Sequence, residues 1–225
     1  MCLVVLGISC KKERQGNMLV TGEIKGLKKG VLYLQQFQDS TLVVLDSLEI
    51  KGDGKFSFSQ FVGDPEIFYL YLDKKDNNQV NDRITFFGEM GTITIQTAWN
   101  TFDTQAKISG SKANEKLQEF QAMVSQFNIR ELLLVQQASL PSIQDNPNAL
   151  DSLQGLIDQN TINRYRYALN FGFNNTDSYA TPYIMLTAAS EANPKYLDSV
   201  YRSLSPEVAS SKYGKAFRDF LDHRD

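Results

Sequence analysis

The chain has 225 residues, 42% of them hydrophobic and 22% charged, with 23 Lys and Arg against 26 Asp and Glu and a net charge of −3. These values fit a folded protein with one large core or two small ones, and they exclude wholesale disorder and a membrane-embedded body. No predicted face is crowded with Lys and Arg, so nucleic acid is excluded as a partner as well.

Residues 1–16, MCLVVLGISCKKERQG, form the first segment. Leu3 to Ile8 is far shorter than the roughly 20 apolar residues a membrane span needs, yet it has the character of a secretory apolar region followed by a small residue. Leu6-Gly7-Ile8-Ser9-Cys10 has the form of a bacterial lipobox, with Gly7 where Leu or Val is usual. A diacylglyceryl thioether on Cys10 would give a stable anchor, at about 0.8 kcal/mol per buried methylene. The basic region that normally precedes such a run is missing, which predicts a true start upstream. The alternative is an apolar terminus with an incidental cysteine; the abrupt change at Lys11-Lys12-Glu13-Arg14 favours acylation. The expected location is therefore the cell envelope, lipid-anchored and periplasm-facing. The outer membrane is preferred, because Lys11-Lys12 lacks an Asp that would favour inner-membrane retention. Cys2 and Cys10 are the only cysteines and form no Cys-x-x-Cys pair, so cleavage before Cys10 and acylation of its sulfur would leave the mature chain without a free thiol.

From 17 to 110, β-branched and aromatic residues recur in short runs between Gly, Asp and Lys turns, which predicts about eight strands in an antiparallel β-sandwich or barrel-like sheet. Gly52-Asp53-Gly54 feeds an alternating strand with Phe56 and Phe58 on one face, and Thr92-Ile93-Thr94-Ile95 repeats the alternation. Ile67-Phe68-Tyr69-Leu70-Tyr71-Leu72 is apolar on both faces, as in a central strand covered from two sides. Asp73 to Asp82 reads as a polar loop.

From 111 to 225 the period becomes helical. Ser111 is a candidate N-cap, and Leu117, Phe120, Val124 and Phe127 make one stripe. Asn146-Pro147, Thr181-Pro182 and Ser205-Pro206 each read as a helix start. Leu150, Leu153 and Ile157 continue the second helix, while Tyr213, Phe217, Phe220 and Leu221 give the last an apolar side. The fold class is thus α+β, with a sheet domain followed by a helical layer packed on it through the short junction Ile108 to Ser111.

Several motifs in the sheet half occur in a recognisable order. They are Leu19-x-x-Gly22-x-Ile24-x-Gly26, Gly30 to Leu34, Leu45-Asp46-Ser47, Gly54-Lys55-Phe56-x-Phe58, Pro65, and Gly88-Glu89-x-Gly91-x-Ile93-x-Ile95. This order resembles a domain of unknown function found in Gram-negative envelope lipoproteins, amino-terminal to a thioredoxin-like module. Ile108-x-Gly110-Ser111-x-x-Asn114 resembles the family's junction, and residues 174–183 with 210–214 its helical segment. The resemblance implies an association with thiol-disulfide exchange, through a redox protein as partner. This chain ends at Leu221-Asp222-His223-Arg224-Asp225 without the Trp-Cys-x-x-Cys segment that usually follows, so the readings are a stand-alone accessory domain or the front of a longer oxidoreductase.

Catalytic patterns are weak. His223 is the only histidine and reads as an exposed residue near a helix end. Asp46-Ser47 places its side chains on opposite strand faces, against nucleophile activation. Glu89, Glu66 and Asp64 are candidates for a paired-carboxylate site, with turn solvation as the alternative. Lys51 to Lys55 lacks the ligand spacing of a calcium or phosphate loop. No catalytic residue, metal site or cofactor is predicted. Binding candidates are Trp99 and Phe102, either exposed to a ligand or packed over the sheet rim. The others are Tyr165 and Tyr167, within an aromatic-rich region that includes Phe171, Phe173, Tyr179, Tyr183, Arg164 and Arg166 and either lines a groove or packs between the halves. The expected function is that of a non-enzymatic envelope protein that binds a partner, glycan or peptide.

Overall fold

A computed structural model describes residues 16–74 and 83–224. Cys10 and most of the polar loop after Asp73 lie outside the described residues. Eight strands come first: β1 (Met18–Lys25), β2 (Lys29–Gln38), β3 (Thr41–Lys51), β4 (Lys55–Gln60), β5 (Glu66–Asp73), β6 (Arg83–Gly88), β7 (Gly91–Ala98) and β8 (Lys107–Ser109). Seven helices follow: α1 (Lys112–Ala138), α2 (Pro141–Gln144), α3 (Pro147–Asn174), α4 (Ala180–Ala188), α5 (Pro194–Ser203), α6 (Pro206–Ser210) and α7 (Lys212–Asp222). The α+β class and its division into a sheet half and a helical half are as the sequence indicates.

The strands form two four-stranded sheets, ordered β4-β1-β7-β8 and β3-β2-β5-β6. Alternation turns Val20, Phe56, Phe58, Ile93 and Ile95 of the first sheet inward, together with Leu32, Leu34, Phe68, Leu70 and Phe86 of the second. The expectation of purely antiparallel pairing needs one correction, because β1 and β7 run parallel over eight residue pairs. Gly22 permits their close approach: a Cβ there would lie 1.8 Å from the Ile95 carbonyl oxygen.

The second sheet opens at one end, and this positions the groove described below. β2 pairs with β5 only from Val31↔Asp73 to Gln35↔Tyr69. A bulge against β3 at Leu34/Gln35 then turns the end of β2 to follow β3, pairing Phe37 with Leu42. β5 stays on β6 as far as Glu66↔Gly88. The two strands therefore part beside Ile67.

At their Ile67–Phe87 end β5 and β6 are covered on both faces, as the apolar run 67–72 predicts for β5, while further along the outer face Tyr69 and Tyr71 are half-buried and Thr85 is exposed. The outward residues Ile67 and Phe87 belong to a second core with Leu117, Phe120, Ile184, Met185, Leu197, Val200 and Phe217 of the helices. The junction is set by three residues of the Gly110-Ser111-x-x-Asn114 motif. Gly110 takes φ +92, where a Cβ would meet the Thr92 carbonyl oxygen at 2.1 Å. Ser111 caps α1 by accepting from the Asn114 amide at 3.0 Å. Asn114, 1% exposed, accepts from the Phe87 amide at 3.0 Å and so terminates the edge of β6.

α1 and α3 form an antiparallel pair whose facing positions recur at steps of four and three, from Phe120 to Ala138 and from Leu153 to Phe171. Phe120 stacks on Tyr167, and Asn160 donates from Nδ2 to the Phe127 carbonyl at 3.0 Å. Beyond Phe120 no residue of α1 is buried, and Ile129, Leu132 and Leu133 are more than half exposed.

The helix starts at Asn146 and Ser205 are confirmed, each side chain accepting an amide of its first turn. Thr181-Pro182 is not a start: α4 begins at Ala180, and the buried Thr181 hydroxyl donates to the Asn175 carbonyl. The same cap-proline signal at Asn193-Pro194 opens α5. Among the described residues no helix is long and apolar enough to cross a membrane.

Candidate binding groove at the split of the second sheet

Where β2 and β5 part, α4 and α7 approach and leave a groove of about 330 Å³, within the range of small-ligand sites. Its floor is Ile67 and Tyr69 of β5, one wall is Phe37 and Asp39 at the end of β2, and the other is Tyr183 of α4 with Lys212 and Tyr213 of α7. Each wall follows from local structure. Gln35 lies directly opposite Tyr69, so the next outward residue of β2, Phe37, meets Tyr69 edge-on with ring centroids 5.7 Å apart. Tyr183 and Tyr213 contact each other at 5.1 Å, and both stand edge-on to Phe87, at 5.5 and 5.9 Å.

The split leaves the Ile67 amide without a strand partner, and the Tyr213 hydroxyl accepts it at 3.1 Å. Burial raises the Tyr213 hydroxyl well above the ordinary tyrosine value. Burial is also the main cause that raises Tyr183 and Tyr69, with mutual repulsion adding to Tyr183 and the Arg83 charge opposing at Tyr69. All three phenols are therefore neutral at physiological pH. The Arg83 guanidinium lies 5.7 Å from the Tyr69 ring and 5.5 Å from Tyr71, which stacks on Tyr33. This extends the aromatic face along the sheet. Asp39 has φ +53, the only non-glycine residue with positive φ among the described residues.

The Lys212 charge beside the groove is matched internally. Lys212 Nζ contacts the Glu66 carboxylate, and the Lys212 amide donates to Asp64 Oδ2 at 3.0 Å. Glu89 accepts from the Lys112 amide in the same way. Asp64 and Glu89, two of the candidate catalytic carboxylates, thus sit at the N-termini of α7 and α1, where a negative charge suits the helix dipole. Glu66 is held by Lys212. His223 is exposed at the end of α7, with Nδ1 2.7 Å from the Asp219 carbonyl oxygen. Ser47 donates its amide to Asp46 Oδ1 at 2.7 Å, a strand hydrogen bond. Among the described residues no cluster of three or more His, Cys, Asp or Glu could hold a metal.

The binding candidates separate widely. Trp99 is 47% exposed and lies in a shallow depression with Leu27, Lys28 and Lys29; Lys74 Nζ is 5.8 Å from its ring centroid. Phe102 requires correction as a binding residue: it is 0% exposed in the sandwich core, because the turn after β7 folds its ring inward, with Thr97 donating to its carbonyl at 2.9 Å. Tyr165 and Tyr167 lie in the α1–α3 pair, Tyr165 beside Arg164 and Tyr167 between Phe120 and Phe127, and neither lines the groove. Of the aromatic-rich region only Tyr183 reaches it. Tyr69 and Tyr213 were legible as members of a two-sided strand and an apolar helix face, but their convergence depends on the parting of β2 and β5.

These features define an α+β protein in which a two-sheet sandwich carries a helical layer over one outer face. Residues 18–117 match a family described as a domain of unknown function (DUF4369). The match covers the sandwich and reaches into α1 as far as Leu117, so it includes Gly110, Ser111 and Asn114. No curated protein and no solved structure matches the chain.

Proposed function

We propose that this chain is a non-catalytic binding module of the bacterial envelope, held at the membrane by a lipid on Cys10 and engaging its ligand through the groove at the sheet split. The observation that carries the binding role is the convergence of three neutral phenols and the exposed ring of Phe37 on one open concavity. The carboxylates considered for catalysis already hold helix amides and a lysine, which supports binding over chemistry. The lipobox-like Leu6 to Cys10 supports the anchor. The redox association implied by the family resemblance remains part of the proposal at the level of a partner, since the groove itself contains no thiol.

Two measurements test this reading. A photo-activatable phenylalanine analogue at Phe37 should form adducts in native envelopes, whereas the same analogue at Trp99 should not; the reverse pattern would move the site to the opposite end of the sandwich. Metabolic labelling with an alkyne fatty acid should mark the chain and be lost in Cys10→Ser. Labelling that persists in that variant would refute the anchor.

A further inference from the structure

We propose that the groove binds a short neutral saccharide. This deepens the binding reading above and rests on the groove being the ligand site. A saccharide presents hydroxyls that both donate and accept, and flat C–H faces that suit the electron-rich face of an aromatic ring. The groove offers the counterparts of each. Among the described residues no hydrogen-bond partner holds the Tyr69 or Tyr183 hydroxyl, and the Tyr213 hydroxyl, which accepts from the Ile67 amide, keeps its own proton to donate. Phe37 exposes 44% of its surface at the rim. Asp39 supplies a carboxylate acceptor from a backbone conformation that a glycine would adopt without cost.

Charge selects against the main rivals. The Lys212 ammonium is already matched by Glu66, so an anionic ligand would find no unpaired cation on this wall. An extended peptide adding to the sheet needs a free edge amide, and the one at Ile67 is occupied by Tyr213. A neutral ligand read by hydroxyls and ring faces avoids both costs.

The test is calorimetric titration of the full chain in detergent with maltose, cellobiose and N,N′-diacetylchitobiose, with digalacturonate as the charged comparison. At least one neutral disaccharide should bind, and more tightly than digalacturonate. Tyr183→Phe, which keeps the ring and removes the hydroxyl, should weaken that binding about fivefold to tenfold, the loss of one hydrogen bond. Phe37→Ala should weaken it at least as much, and Trp99→Ala should leave it unchanged. Circular dichroism of each variant controls for folding. Binding by none of the neutral sugars, or binding indifferent to both Tyr183→Phe and Phe37→Ala, would overturn the proposal. A displayed peptide library separates the two levels: peptides lost on Phe37→Ala, with no sugar bound, would refute the saccharide and keep the groove. Absence of both, together with no adducts at Phe37 in envelopes, would refute the groove too.

Discussion

Phe86 and Phe87 are consecutive on β6 and both fully buried, yet they serve different cores. Phe86 points into the sandwich, stacked near Phe68, among side chains contributed by the two sheets and the turns that join their strands. Phe87 points the other way, edge-on to Tyr183 and Tyr213, in a core otherwise made largely of helices. The sandwich closes on itself, whereas the helical layer closes on a sheet face. A boundary drawn at residue 110 therefore separates two patterns of sequence but cuts through one of the two cores.

The sharpest way to break this asymmetry is Phe87→Ala, which should cost about 3–5 kcal/mol. Amide exchange should accelerate in α4 and α7 before it does in β1 and β7; the opposite order would show that the helices hold the sheet. Asn114→Ala should cost about 1–3 kcal/mol, because it strands the buried Phe87 amide, and denaturant unfolding measures it.

Alkaline titration sharpens the comparison further. Tyr69, Tyr183 and Tyr213 have hydroxyls raised in the folded state, so each contributes stability that is fully present below the ordinary tyrosine value near 10 and lost as pH rises above it. Each such group costs at most about 1.4 kcal/mol per pH unit in that window. Phenolate absorbance should show late-titrating tyrosines, fewer of them in Tyr183→Phe. A smaller effect, of the opposite sign, is expected at the groove rim. Asp39→Gly should stabilise the chain by about 1 kcal/mol, by relieving a left-handed conformation, while weakening ligand binding. An unchanged melting temperature would show that the turn holds no strain at Asp39.

The two halves also differ in how much of them the sequence exposes. Alternation in Phe56 to Phe58 and Ile93 to Ile95, and apolarity on both faces of 67–72, are local consequences of strand geometry and are visible in order along the chain. Cap-proline pairs marked α3 and α6 for the same reason. Thr181 misled because its hydroxyl serves the Asn175 carbonyl rather than a helix amide, a tertiary contact that leaves no local trace. The parallel β1–β7 pair and the parting of β2 from β5 are also long-range facts, set by a bulge and by which strand each edge finds. The groove inherits that invisibility, since Phe37, Tyr69, Tyr183 and Tyr213 come from four separate elements. Phe102 and Trp99 look alike as aromatic residues in a polar turn; only the turn's inward fold decides that one is core and the other surface.

β1 has a further consequence if the chain is anchored at its front end as proposed. It is an interior strand, bonded to β4 on one side and to β7 along its whole length on the other. Just before it, Asn17 grips Val62 through both ends of its side-chain amide, donating to the carbonyl and accepting from the amide at 2.8 Å each. Tension applied through residue 16 would therefore load two ladders lengthwise, so that many hydrogen bonds must slide at once instead of unzipping singly. Under the proposed anchoring, such an attachment point would let the molecule be tugged by a bound ligand without its fold giving way first.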